Sequence, residues 1–542
     1  MSSIKKLVCR KRQGVVLIIS MIFVLIFSAL AVSMASLSGT NVQLATNQHK
    51  VNSALDAAQS GLECGKYLVA TVVGLESTGD NTVSVDQANT VWTTFCQYVQ
   101  DTALDGQTVP APTRFTDSTG SGDQLITSSI NFASTDAAFE MRFYRYDSDP
   151  CTIKLQSTGT DREVTKQIGM NMAITKDNEV LKYAIASRGK MWVTQNSTIH
   201  GPIFSTWNKP EWGAPVEATA DTTVEGSINT VLAIADLENE NIQLETLDAN
   251  NNPVFDEYGN RVYSEADTVQ GAHEGINYEV SDSDMPGMNE NDYDTSSYAS
   301  ICTDIPAAST TREYFPHLAG DYSQPRASWS KAYDRNVYEN QTFTNAKLPK
   351  GRHALFRNCT FEGVLFIETK ESYQDSTSQT NNVRFENCTF NGAIVTNVPS
   401  STNHWSWWTR NVLYFTGEAT FDNTSSMQET TILAPNFNVN LGNTGALDEG
   451  GGNVLTGAVI GGIVDVRGNA EIYGTIISMY DTSAHPRGYV TNIGAADDGG
   501  SEGDVYSGGT ISITPSADQL LPSGITSPIV IQPQQNTYSE GL

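Results

Sequence analysis

The chain has 542 residues, with 61 acidic and 32 basic side chains for a formal net charge of −29. So acidic a surface excludes nucleic acid as the expected partner, because phosphate contact needs clustered Lys and Arg. The length predicts about two to four domains, and the Asn/Asp/Ser/Thr/Gly-rich composition with few lysines reads as a soluble surface protein.

The first element is a leader followed by an apolar helix. Arg10, Lys11, Arg12, Gln13 and Gly14 precede a run from Val15 to Ser36 that carries no charge. Its length, about twenty-two residues, reaches the roughly 20 needed to span a bilayer. Lys5, Lys6, Arg10, Lys11 and Arg12 all lie before the run, and only Lys50 and Lys66 follow soon after. The charge asymmetry predicts a cytoplasmic leader and an extracytoplasmic bulk. Ser33-Met34-Ala35 has a small-x-small pattern, but the run exceeds the about 7–15 residues of a signal-peptide core. That leaves an uncleaved anchor or a leader cut after Gly14. Beyond Ser36, Leu44, Val51, Leu55, Ala58 and Leu62 recur at helical spacing, so one helix is predicted from Val15 to Ala70, transmembrane over 15–36 and amphipathic over 37–70.

Basic residues, Gln13-Gly14 and the following apolar run resemble the N-terminus of type IV pilin-like proteins, in particular the PilX-type minor pilins. The resemblance continues through Ala54-Leu55-Asp56-Ala57-Ala58-Gln59-Ser60-Gly61-Leu62-Glu63. It implies cleavage after Gly14 by a prepilin peptidase, methylation of the new amino terminus at Val15, and assembly with other pilin-like subunits through the helix bearing Val15, Ile19, Phe23 and Phe27. One position departs from the pattern: Ile19 stands where most such proteins carry a glutamate. That glutamate is expected to neutralise a neighbour's amine inside a filament, where an unpaired charge is costly. Its absence implies a minor, initiating or tip position.

Residues 71–180 read as a small α+β head. Ala88–Val99 is a short helix or strand. Strands follow at 138–144, 151–157 and 164–173, with Ser157–Asp161 as a turn between two of them. From Tyr183 the texture changes. Asn196–Ser205 has a near copy at Asn469–Ser478, and Phe356–Gly363 recurs as Phe385–Gly392. Short β-branched runs ending at Gly or Asn predict a solenoid, with those residues turning the corners. Asn358 with Asn387, and Cys359 with Cys388, would stack as ladders. The expected fold class is α+β to mainly β: a long N-terminal transmembrane helix, a small pilin-like head, and a right-handed parallel β-helix-like solenoid over 181–206 and 341–512. An acidic irregular insertion over 207–340 and an extended or loose Pro/Ser-rich tail over 513–542 complete the division.

Few residues point to chemistry. Cys64, Cys96, Cys151, Cys302, Cys359 and Cys388 would face an oxidising compartment and are candidate disulfide cysteines; six allow fifteen pairings. Asp248, Asn250 and Asn252 have calcium-loop spacing, but Pro253 and Gly259 occupy positions that need glycine and glutamate. Asp282, Asp284, Asp292 and Asp294 form a weak calcium candidate beside the plainer reading of a solvated acidic loop. Otherwise no metal or other cofactor is expected. Trp405, Trp407 and Trp408 are a candidate ligand loop, for surface carbohydrate or a partner. Asp465 and Arg467 alternate on one strand, the ordinary outward pattern of a solenoid, and no hydrolase or P-loop motif is present. The reading is a non-enzymatic assembly subunit with a displayed ectodomain. The alternatives are a membrane-anchored β-helix that binds or cleaves polysaccharide, and a tip-type minor pseudopilin of a type II secretion system.

Overall fold

The structure is a computed structural model. It describes residues 13–541 apart from 103, 105, 133–134, 195–196, 260, 282–286, 319–320, 370–379, 399–406, 422–429, 443–451, 481–487, 495–509 and 516–519. The chain forms two compact units. One comprises Met1–Glu76, Ser84–Thr175 and Val530–Leu542, and the other Ser77–Val83 and Lys176–Ile529.

In the first unit, helix α1 spans Gln13–Ala70, as the periodicity predicts. At 1.5 Å per residue it is about 87 Å long. From Val15 to Leu44 its large apolar side chains are 47–71% exposed, whereas Ala54, Ala57, Ala58 and Leu62 are buried. The buried half lies on an antiparallel sheet. The strand order is Ser527–Gly541, Val164–Lys176, Asp149–Asp161, Ala137–Tyr146, Ser121–Ile126, Thr113–Thr116. Phe143 pairs with Leu155, and Leu155 with Met170, so alternate residues form an apolar face. Helix α2, Val85–Asp101, lies on that face through Phe95, whose ring is 4.9 Å from that of Phe143. A reciprocal capping box between Ser84 and Gln87 fixes its start.

One expectation changes here. Ser157–Asp161 is not a turn but the end of the long strand Asp149–Asp161; the chain reverses at Arg162, φ 54°. Gly159 serves a close approach instead. A Cβ there would sit 2.1 Å from the Ala54 carbonyl oxygen and 2.3 Å from the Ala58 nitrogen. Gly61 and Gly65 of α1 are equally confined, by Ser157 and Phe139 and by Leu155. Of the extended and loose readings of the tail, the extended one fits Ser527–Gly541, a strand with Ile529 and Ile531 buried. Alternating apolar residues give it one buried side despite its Pro and Gln content.

Among the described residues, the second unit holds a 24-stranded sheet. Its strands stack in register, largely in parallel. The pairing is nevertheless mixed: Thr310–Phe315 runs antiparallel to Lys331–Glu339. The internal repeats occupy equivalent places. Phe361 pairs with Phe390, and Phe356 with Phe385. Two aromatic ladders result. Tyr338, Phe356, Phe385 and Phe415 stack at 5.0, 5.5 and 4.9 Å. Phe343, Phe361, Phe390 and Phe421 stack at 5.4, 5.0 and 4.6 Å, within the favourable range for offset rings. The later repeat pair, 196–205 and 469–478, flanks one intervening strand, since Ser197 and Ala470 both pair with Ile511.

Asparagines turn the corners. Asn340, Asn358 and Asn387 have φ of 55°, 49° and 53°, and Gly417 follows at 66°. Asn387 Oδ1 also accepts the Glu418 N–H at 2.9 Å. Asn387→Ala should therefore destabilise the fold by about 1–2 kcal/mol, because alanine lacks the short polar side chain that lets asparagine tolerate left-handed backbone and that here accepts the Glu418 N–H. Urea unfolding would read the shift, and Asn387→Gly should recover most of it.

The stretch 207–340 is not wholly an irregular insertion. Val216–Ala218, Thr223–Thr230, Ala272–Asn277, Thr310–Phe315 and Lys331–Glu339 all join the same sheet. Their polar, acidic composition hides the period-2 pattern, because only one side of each strand is buried. An outward column of Phe366, Val395, Leu433, Ile460, Ile477 and Ala186 runs across consecutive strands. Met288, Tyr293, Tyr298, Leu521 and Ile525 cover it as a second core.

Candidate functional site

The site with the clearest physical demand is the exposed half of α1. Its 18-residue apolar window has a mean hydropathy of 3.1, and none of it is buried. Val15, Ile19, Phe23 and Phe27 are 57%, 47%, 55% and 65% exposed. Their spacing of four puts them on one side of the helix, and the Phe23 and Phe27 rings stack at 6.3 Å. Apolar surface costs about 25 cal/mol per Å² left in water, so a run this long requires lipid or other helices around it. Ile19 supplies no charge to this surface. Gly14 is already helical; residues 1–12 lie outside the described residues.

The other predicted sites do not converge. Among the described residues no disulfide joins the candidate cysteines. Cys359 and Cys388 do stack on consecutive strands, between the paired residues Arg357 with Glu386 and Thr360 with Thr389. Both are buried, and their thiols donate to the Tyr338 and Phe356 carbonyls at 3.5 Å. Contact with Cys359 and burial push the Cys388 thiol up. Burial likewise pushes Cys96 up to about 12 and Cys302 up to about 11. Cys64 and Cys151 are partly exposed.

Trp405 lies outside the described residues, while Trp407 and Trp408 begin the short helix Trp407–Arg410. Asp282 and Asp284 also lie outside them. Asp294 accepts the Ser296 N–H at 3.0 Å, which holds its carboxyl below the usual range. The Asp292 carbonyl accepts from Thr526. Asp248 accepts the Asn250 and Asn252 N–H groups at 2.7 and 2.9 Å, closing a turn on itself. Among the described residues no group of three or more His, Cys, Asp or Glu is placed to hold a metal. Asp465 is buried and takes Arg467 in a bidentate pair at 2.9 and 3.0 Å.

One polar cluster escaped the sequence reading. Glu313 is buried between two buried arginines. Its carboxylate accepts from Arg384 at 2.7 and 3.0 Å and stands 3.0 Å from Arg335 Nε. Tyr322 covers Arg384, its ring centroid 3.8 Å from the guanidinium. Burial alone would raise the Glu313 carboxyl, but the Arg384 hydrogen bonds and both positive charges outweigh it and hold it low. His317, beside the same arginines, is pushed down to about 4 by burial and by their charge. A lone Glu in a strand of Thr, Arg and Tyr gives no signal of this in sequence.

Comparison with known proteins bears on α1. The PilX N-terminal family matches residues 13–63. Those residues are similar to a pilin-type N-terminal segment. They cover the exposed helix and the start of its buried half. No curated protein matches the chain. Among solved structures, the competence-associated pilin ComZ from Thermus thermophilus aligns over 91% of this chain and 98% of that chain, at 14% identity and a TM-score of 0.26. That score is too low to assign a fold.

Proposed function

We propose that the chain is a minor subunit of a type IV pilus or secretion pseudopilus. A prepilin peptidase cuts after Gly14, Val15 becomes the methylated amino terminus, and the apolar half of α1 passes from the membrane into an assembly of pilin-like helices. The bulk of the chain lies outside the cytoplasm. Its second unit is a right-handed parallel β-helix displayed for interaction, and it performs no catalysis.

The observation that carries this reading is the division of α1. One continuous helix has an uncharged half exposed along its whole length and a half packed on a sheet, and the pilin-type segment spans the junction. Ile19 argues for a minor position, because the helix brings no carboxylate to a neighbour's amine in an apolar interior.

Intact mass and N-terminal sequencing of the membrane-extracted protein test it. The expected chain begins at Val15 and is one methyl heavier. Gly14→Leu should retain the leader and keep the protein out of sheared surface filaments. A wild-type chain that starts at Met1 or Ser2 would reduce α1 to a plain anchor and overturn the proposal.

A further inference from the structure

The internal repeat sets one cysteine over another. Cys359 and Cys388 each follow a left-handed asparagine corner, Asn358 and Asn387, between paired strands of the large sheet. Two backbone hydrogen bonds lock their register. Asn358 N–H donates to the Glu386 carbonyl and Thr389 N–H to the Cys359 carbonyl, both at 2.9 Å. In-register strands lie about 4.8 Å apart, inside the Cα separation of about 4.4–6.8 Å that a disulfide spans. Both side chains lie in the same inner core and are 1% exposed. The Cys388 thiol leans toward the strand that leads into Cys359, 3.5 Å from the Phe356 carbonyl, and hydrogen-bonds the Cys359 sulfur. The stacked Phe356–Phe385 and Phe361–Phe390 rings hold the two strands together on either side. Cys64, Cys96 and Cys151 belong to the first unit, and Cys302 packs against the outer core instead.

We propose that Cys359 and Cys388 form a disulfide that staples two consecutive strands of the large sheet. The oxidant is another disulfide, carried by a protein or a small thiol of the extracytoplasmic space. One cysteine attacks it as a thiolate and takes one of its sulfurs in a mixed disulfide; the second cysteine then displaces that sulfur. Two cysteine thiols are oxidised, the oxidant is reduced to two thiols, and the cysteine protons end on them. Exchange takes place while the strands are open, and burial afterwards shields the bond from reductants. The bond closes the chain over residues 360–387 and so removes entropy from the unfolded state. The presence of the oxidant rests on the reading that the bulk of the chain lies outside the cytoplasm. The pairing does not, because purified protein can be given the oxidant.

The test incubates the detergent-solubilised full chain with excess glutathione disulfide, in urea just below the unfolding transition, where strands open transiently. Alkylation without reduction and peptide mapping follow. The expected product joins the peptides that carry Cys359 and Cys388 and is two hydrogens lighter than their sum. The linked protein should melt several degrees above the same protein treated with dithiothreitol in the same urea. The double variant Cys359→Ala, Cys388→Ala should show no such difference, and the wild-type comparison stands alone if that variant fails to fold. Free thiols in protein taken directly from cells, with linkage after glutathione disulfide, would support the pair and count against the extracytoplasmic placement. The proposal is overturned if both cysteines are still alkylated after incubation, if either is joined to a different cysteine, or if the linked protein melts no higher than the reduced one.

Discussion

Gly159→Val is expected to unfold the head. The new Cβ would lie 2.1 and 2.3 Å from backbone atoms of α1, and backbone cannot rotate aside as a side chain can. Overpacking costs about 1–3 kcal/mol where side chains yield. Here the helix itself must lift, which would also uncover Ala54, Ala58 and Leu62, so the effect should exceed that range. Limited proteolysis of the full chain would show new cuts within 84–175 at temperatures where wild type resists. Gly159→Ala should already be defective, because the clash begins at Cβ. A Gly159→Val protein as resistant as wild type would mean that α1 does not rest on the strand Asp149–Asp161.

Glu313→Ala should remove about 3–5 kcal/mol, the usual result of breaking a buried ion pair from one side. It leaves Arg335 and Arg384, 1% and 2% exposed, without their shared carboxylate. The pH dependence follows in sign. The folded carboxyl is held below its ordinary value, so its contribution is complete above the unfolded value, about 4.3. It is lost as pH falls through the lower, folded value. His317 acts in the same direction. Its folded pKa of about 4 lies below the ordinary histidine value, so protonation in acid opposes the fold. Urea unfolding of wild type should weaken from about pH 6.5 downward through His317 and further below about pH 4.3 through Glu313, and Glu313→Gln should flatten the lower part of that profile. Identical profiles would place the stabilising charge elsewhere.

The legible parts of the chain were those with a strong period. The uncharged run after Gly14 and the 3.6-residue spacing to Leu62 define α1, and the Phe-x-Asn-Cys-Thr-Phe repeats announce in-register strands because identical residues fall on consecutive strands. Left-handed asparagine corners were legible for the same reason. What escaped was set by tertiary partners. Gly159 reads as a turn residue until a helix backbone is seen against it. The strands within 207–340 and 527–541 bury only one side and carry polar residues on the other. Glu313, Arg335 and Arg384 lie far apart in sequence, and only the strand register brings them together. Of the predicted ligand residues, the Trp405 loop and part of the acidic cluster fall outside the described residues, and the cysteines form no chemical centre.

The order in which the first unit is built has a consequence for synthesis. Its helices and the sheet strands before Lys176 are separated from the strand Ser527–Gly541 by nearly all of the second unit, since Lys176–Ile529 intervenes before Val530–Leu542. A ribosome has made the membrane helix long before it makes the strand that completes the sheet beside it. A chain that stops within Lys176–Ile529 therefore has α1 intact but leaves Val164–Lys176 without its neighbouring strand Ser527–Gly541, an open edge exposed to proteolysis.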